Sequence, residues 1–307
     1  MRAAHMFYLI AGLFALSAPF LGIYPVFMMK LLCFAMFACA FNLLLGFSGM
    51  LSFGHAAFFG FSAYVTAWLA AVHGWGAAPA TLAGIVVSAL LGLVIGVLAI
   101  RRRGIYFAMI TLALAQLIFF VCLEAPFTGG ENGLQGVSRG SLFGVLQLKS
   151  DIVMYYLVLG AFLGVYVFIR RVVHSPFGQV LKAIHENEPR AVSLGYDINR
   201  YKLVAFVLSA TLAGLAGSLK TLVLGFATLS DVQQANSGEV ILMTLLGGSG
   251  TFFGPVVGAT VVVTLQEYLS EFVGGWVTVI IGVIFITCVL VFRRGIVGEL
   301  AAFKLRR

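Results

Sequence analysis

The feature that most constrains this chain is a succession of long apolar runs, several of which approach or exceed the ~18 residues that span a bilayer. They lie near 6–22, 27–45, 55–72, 78–100, 104–125, 151–169, 203–224, 237–247, 255–270 and 276–292. In lipid no water satisfies backbone N–H and C=O groups, so such runs fold as helices or as strands of a closed barrel. The alternating ~10-residue strands of a barrel are not seen. Only 10% of the residues are charged, against about a quarter in a soluble domain. The expectation is an all-α polytopic transmembrane bundle of about ten helices, forming one domain over 1–307, with broken or re-entrant segments. The N-terminal run MRAAHMFYLIAGLFALSAPFLG has the single Arg and apolar stretch of a signal peptide. It reads as a retained first helix, because it is long for an h-region and similar segments follow it.

The net charge of +8 is topology information and not a nucleic-acid surface. With the N-terminus placed in the cytoplasm, Arg2, Arg101 to Arg103, Arg170, Arg171, Lys182, Arg190, Arg200, Lys202, Arg293, Arg294, Lys304, Arg306 and Arg307 fall inside. That is 15 of the 19 Lys and Arg residues, leaving Lys30, Arg139, Lys149 and Lys220 outside. Basic residues gather on the cytoplasmic side of membrane proteins, so both termini are expected there. Two segments outside the bilayer are long: an outer one, 126–150, and an inner one, 170–202. The four cysteines all lie in apolar runs with no partners at metal spacing and read as packing thiols; no metal site is expected. Small residues every fourth position (Gly84, Ser88, Gly92, Gly96; Ala210, Gly214, Ser218) read as close helix–helix contact.

The stretch GFSGMLSFGHAAFFG, Gly46 to Gly60, interrupts two apolar runs with glycines, serines and a histidine. Gly46-Phe47-Ser48-Gly49 matches the GxSG of intramembrane serine proteases. A serine nucleophile needs a base within reach, and His55 lies seven residues on across a glycine-rich stretch. The pattern also recurs: Leu44-Leu-Gly-Phe-Ser-Gly49 resembles Leu245-Leu-Gly-Gly-Ser-Gly250, and a nucleophile motif has no reason to be duplicated. The run at 237–247 is too short to span. Interrupted segments at corresponding places in two halves mark translocation sites. Asn42, Ser48, Gly49, Ser52, Gly54, His55, Ser249 and Gly250 are therefore the candidate pathway residues, with freed N–H groups near His55 suited to a carboxylate. No catalytic residue is expected.

Within the inner segment, Ser175 is an N-cap with Pro176 at the first helical position. Phe177, Val180, Leu181 and Ile184 then fall on one apolar face. Glu188 before Pro189 starts a second short helix, which stops at Gly195. The mixed charges of this bent pair suit docking of a soluble protein better than lying on lipid.

NLLLGFSGMLSFGHAAFFGFSAYVTA, TGGENGL, KAIHENEPRAVSLGYDINRYKLVAFVLSATLAGLAGSL and LLGGSGTFFGPVVGA, nearly the whole chain in order, resemble the permease subunits of branched-chain amino acid ABC importers. The similarity is greater to the M-type permease that pairs with an H-type permease. The resemblance implies a bacterial inner-membrane permease that translocates amino acids by alternating access. Its partners would be an H-type permease, two ATP-binding cassette subunits and a periplasmic substrate-binding protein. ATP and Mg would sit on the ATPase subunits, with no cofactor bound here. It also implies that the inner helix pair is similar to the coupling loop that inserts into the ATPase, with Glu188, Ala191 and Gly195 at its motif positions and Phe177, Leu181 and Ile184 on its apolar face. Pro189 departs from that motif, and no Leu-Pro follows Gly195. The chain has no GxxxxGK[ST] phosphate loop, which agrees with an ATPase on another chain. Urea and short-amide permeases of the same importer class look similar. An ion-coupled carrier would place a charge at the midplane, whereas Glu124, Glu131, Asp151, Asp231, Glu239, Glu267 and Glu271 fall at or near the outer ends.

Overall fold

The computed structural model describes residues 24–142, 146–148, 150–291 and 295–299. The expected first helix at 6–22 and both chain termini lie outside these residues. The helices are α1 (Pro25–Ser48), α2 (His55–Ala71), α3 (Ala77–Ala99), α4 (Ile105–Glu124), α5 (Asp151–His174), α6 (Pro176–Glu186), α7 (Glu188–Ser193), α8 (Ile198–Leu224), α9 (Gln234–Gly247), α10 (Gly254–Val273) and α11 (Val277–Val291). Among the described residues five helices, α1, α3, α4, α5 and α8, are long and apolar enough to cross a membrane. The 14 residues of α9 rise only about 21 Å at 1.5 Å per residue, short of the ~30 Å hydrocarbon core. The helix ends at Gly247, as the sequence predicts.

The expected helix at 203–224 begins earlier, at Ile198. Asp197 Oδ1 accepts from the Arg200 N–H at 3.4 Å, so the cap sits in polar sequence and α8 extends beyond its apolar run. Helix α1 is apolar on every side, and 89% of its most apolar window is buried inside the protein; a helix hydrophobic all round belongs in a core. Around it, α8 packs against α1, α2 and α3, while α5, α9 and α10 pack on α1. The small-residue stripes form the α3–α8 contact. A Cβ at Gly92 would meet Ala210, and one at Gly214 would meet Ser88. Ser88 Oγ donates to Ala210 O at 2.7 Å, and Thr66 Oγ1 donates to Ser218 Oγ at 2.9 Å.

The ends of α1, α3 and α5 and the starts of α4 and α8 meet at the end of the bundle that carries Arg101 to Arg103, Lys182 and Lys202. At the opposite end, the 126–150 segment is tied down by strand pairing. Strand β1 (Leu134–Gln135) pairs antiparallel with β4 (Phe226–Ala227), and β2 (Ser141–Leu142) pairs with β3 (Leu146–Gln147). Nearby, Lys220 Nζ donates to both Asp231 carboxylate oxygens at 2.7 Å, with side-chain exposures of 5% and 6%. The sequence places these two charges near outer helix ends. The structure packs the short turn Leu229–Asp231 against α2, where Asp231 reaches Lys220 of α8 and the two satisfy each other inside protein.

Candidate functional site

Helix α1 ends at Gly49, whose φ of 70° is the left-handed conformation that glycine adopts without a Cβ penalty. The Met50 N–H returns to Leu44 O at 3.2 Å. The chain then climbs back into the bundle before α2 starts. The depth of that start follows from His55, which contacts Ser209, eleven residues into α8, roughly 16 Å from its first residue. A helix that begins inside a bundle leaves its first N–H groups without intrahelical acceptors, and here hydroxyls supply them. The Phe53 N–H donates to Thr111 Oγ1 at 3.2 Å, the Gly54 N–H to Ser52 Oγ at 3.3 Å, and the Ala56 N–H to Ser237 Oγ at 2.9 Å. Thr111, Ser52 and Ser237 thus accept three of the freed N–H groups near His55.

His55 is fully buried among the edges or faces of Phe41, Phe58 and Phe206. Its Nε2 lies 2.8 Å from Ser209 Oγ, and Ser209 Oγ donates its hydrogen to Ala40 O at 2.6 Å. A hydroxyl has one hydrogen, so Nε2–H is the donor in the histidine–serine bond. Ser48, the other half of the protease reading, donates to its own backbone at Leu44 O, 2.6 Å away. No nucleophile–base pair forms between Ser48 and His55.

The two glycine-rich breaks touch. Asn42 Nδ2 donates to Thr251 O at 2.9 Å, and Asn42 Oδ1 accepts from the Gly250 N–H at 3.0 Å. A Cβ on Gly46 would collide with Asn42 and with the Gly250 backbone, and Phe47 packs on Phe252 with ring centroids 5.3 Å apart. Of the pathway candidates, Asn42, Ser48, Ser52, Gly54 and His55 are buried, whereas Gly49, Ser249 and Gly250 are exposed. Ser48 and Gly49 line a cleft of about 590 Å³ at the basic end. Met50, Phe53, Ile105 and Met109 give it an apolar wall, while Arg102, Arg103, His185, Glu188 and Lys202 stand at its polar side.

The bent pair α6–α7 borders the same cleft. Ser175 and Asn187 cap its two helices, accepting from the N–H groups of Gly178 and Arg190 at 3.4 and 3.1 Å. Leu181 is buried in the main core, and Ile184 and Ala191 are buried together with Ile198. Phe177 stacks on Tyr201 at 5.6 Å. The apolar face read from the sequence thus seats the pair on the bundle, because a short amphipathic helix buries that face against its own chain first. Glu188 is also turned inward, 3.1 Å from Lys202 Nζ and 3.2 Å from Arg103 Nε. Outward, the pair and the turn after it present Val192, Leu194 and Tyr196, 54%, 68% and 41% exposed, beside Gly195 and among the exposed Glu186, Asn187 and Arg190.

Sequence reasoning missed Thr111, Ser209, Ser237 and the outward trio. Their partners lie 58 to 181 residues away or on another surface, beyond any local pattern. Among the described residues no group of three or more metal-ligating side chains forms.

A family model described as "Branched-chain amino acid transport system / permease component" matches residues 26–290. The high-affinity branched-chain amino acid transport system permease protein LivM of Salmonella typhimurium is 32% identical over 258 residues, which cover 75% of this chain and 60% of that protein. LivM of Escherichia coli is 31% identical over the same shares. The ribose import permease protein RbsC of Bacillus subtilis is 28% identical over 152 residues, 47% of this chain and 44% of that protein. The chain spans about 60% of the length of the LivM proteins it matches. No solved structure matches it significantly.

Proposed function

This chain belongs to the branched-chain amino acid transport permease family, and we propose that it is the membrane-spanning permease of an ATP-driven importer. Its substrates are branched-chain or related hydrophobic amino acids. It sits in a bacterial inner membrane with both termini in the cytoplasm and pairs with a second, H-type permease. Two ATP-binding cassette subunits drive it, and a periplasmic protein delivers substrate. The LivM proteins, similar over three quarters of the chain, support the substrate class.

One observation carries the reading: the α6–α7 pair is already folded on the basic end of the bundle, with its apolar face spent on the bundle and Val192, Leu194 and Tyr196 left outward. An element that has satisfied its own burial and still exposes aliphatic and aromatic side chains suits a protein partner. Reciprocal movement of that partner would displace α6, which packs on the end of α1. There His185 faces Gly49, with 3.0 Å between its Nδ1 and an idealised Cβ. The two touching breaks are then the bundle's hinge: glycine-rich, pinned by Asn42, and able to change direction without leaving backbone groups in lipid.

Photo-cross-linking tests this in membranes that hold the whole importer. A photoreactive residue at Leu194 should capture an ATP-binding cassette subunit, and one at the buried Ala191 should not. Capture of neither ATPase from Leu194 would overturn the docking assignment and the cytoplasmic placement of the pair together.

A further inference from the structure

The coupling pair packs on α1, α5 and α8; toward the α3–α4 turn it faces the open cleft. Glu188 crosses that gap. Its Oε1 is 3.2 Å from Arg103 Nε on the turn and 3.1 Å from Lys202 Nζ on α8. The Lys202 side chain is only 12% exposed and that of Glu188 21%, so this half of the network is shielded from solvent. Partly buried pairs are screened by salt less than surface pairs.

We propose that Glu188 is a positioning residue that transmits movement of the coupling pair to α4 and α8 from within the chain, and does not bind the ATPase. This rests on the permease reading above. The path beyond the clamp is continuous. Arg103 lies two residues before α4, and Thr111 of the same helix holds the Phe53 N–H at 3.2 Å, where the chain turns into α2. Lys202 lies in the first turns of α8, which packs on α1, α2 and α3 and whose Ser209 bonds His55. A shift of Glu188 therefore pulls on both elements that hold the recessed start of α2. Packing alone carries the shift to α1, α5 and α8; the ion pair with Arg103 carries it across the cleft, where there is open space.

The experiment uses the complete importer in proteoliposomes and measures substrate imported per ATP hydrolysed, with co-purification of the ATPase subunits as a second readout. Loss of one such ion pair is expected to shift the coupled equilibrium by up to about fivefold, since an exposed pair contributes at most roughly 1 kcal/mol. Glu188→Gln and Arg103→Gln should each lower transport per ATP several-fold while the ATPase subunits still co-purify. The side chain of Arg103 is 68% exposed, so its variant tests the link without a packing change. Loss of ATPase co-purification in Glu188→Gln would overturn the proposal in favour of direct ATPase contact. Unchanged transport per ATP in Arg103→Gln would also overturn it. If the wild-type chain itself fails to co-purify with ATPase subunits, the permease reading fails, and that result is distinct from all of these.

Discussion

Replacing Asp231 by Asn leaves the Lys220 ammonium buried with 5% exposure. Its neighbours are then a neutral amide, which can accept one hydrogen bond but carries no charge, and the Phe226 ring, 5.1 Å from Nζ to centroid. Breaking a buried pair by removing one partner typically costs about 3–5 kcal/mol, because an uncompensated charge remains inside. A ring face returns only about 1–2 kcal/mol of that. Lys220→Met is the milder change, since Asp231 keeps the Thr228 N–H at 3.1 Å and the Thr228 hydroxyl at 3.2 Å. Removing both charges, as Lys220→Met with Asp231→Leu, should restore most of the loss, because apolar replacement of buried pairs is often neutral or better. Thermal unfolding of the detergent-solubilised chain, followed by thiol labelling of the buried Cys33, Cys39 and Cys122, reads the order directly. At ~2–4 °C per kcal/mol, Asp231→Asn should lower the midpoint by roughly 5–10 °C, Lys220→Met by less, and the double variant least. Equal midpoints for Asp231→Asn and wild type, or a double variant below both singles, would refute the reasoning.

Asn42→Ala should destabilise the chain by about 2 kcal/mol, from two hydrogen bonds worth ~1 kcal/mol each. Hydrogen exchange at the Gly250 N–H should accelerate in that variant, because its acceptor is gone. Ser237→Ala removes the acceptor for the Ala56 N–H and should cost ~1 kcal/mol, as loss of a helix cap does; hydrogen exchange at Ala56 should accelerate while that at the centre of α8 does not.

Most of the helical framework is legible in the sequence because lipid enforces a simple rule: an apolar run of spanning length must be a helix. The rule works from Pro25 to Glu124 with shifts of one or two residues at most ends. It loses Ile198 to Lys202, where a capped helix continues through polar residues. The bent pair is legible as well, since Ser175, Pro176, Glu188, Pro189 and Gly195 are local signals. What its apolar face meets is not, because periodicity gives the direction of Leu181 and Ile184 and leaves their neighbour open. The break at Gly46 to His55 shows the same division. Glycines and serines announce an interruption, but Thr111 and Ser237, which satisfy its backbone, belong to helices brought there only by the tertiary fold. The sequence places Lys220 and Asp231 near the outer ends, and the turn at Leu229–Asp231 that buries them has no periodic signature.

ATP-dependent uptake of radiolabelled leucine, isoleucine and valine by proteoliposomes containing this chain, its partner permease, two ATPase subunits and the binding protein tests the central claim most directly. The account predicts uptake that requires both ATP and this chain and is abolished when Leu194 is replaced by Asp on the outward face of the coupling pair. Uptake driven by an ion gradient without ATP, or undiminished when this chain is omitted, would contradict it.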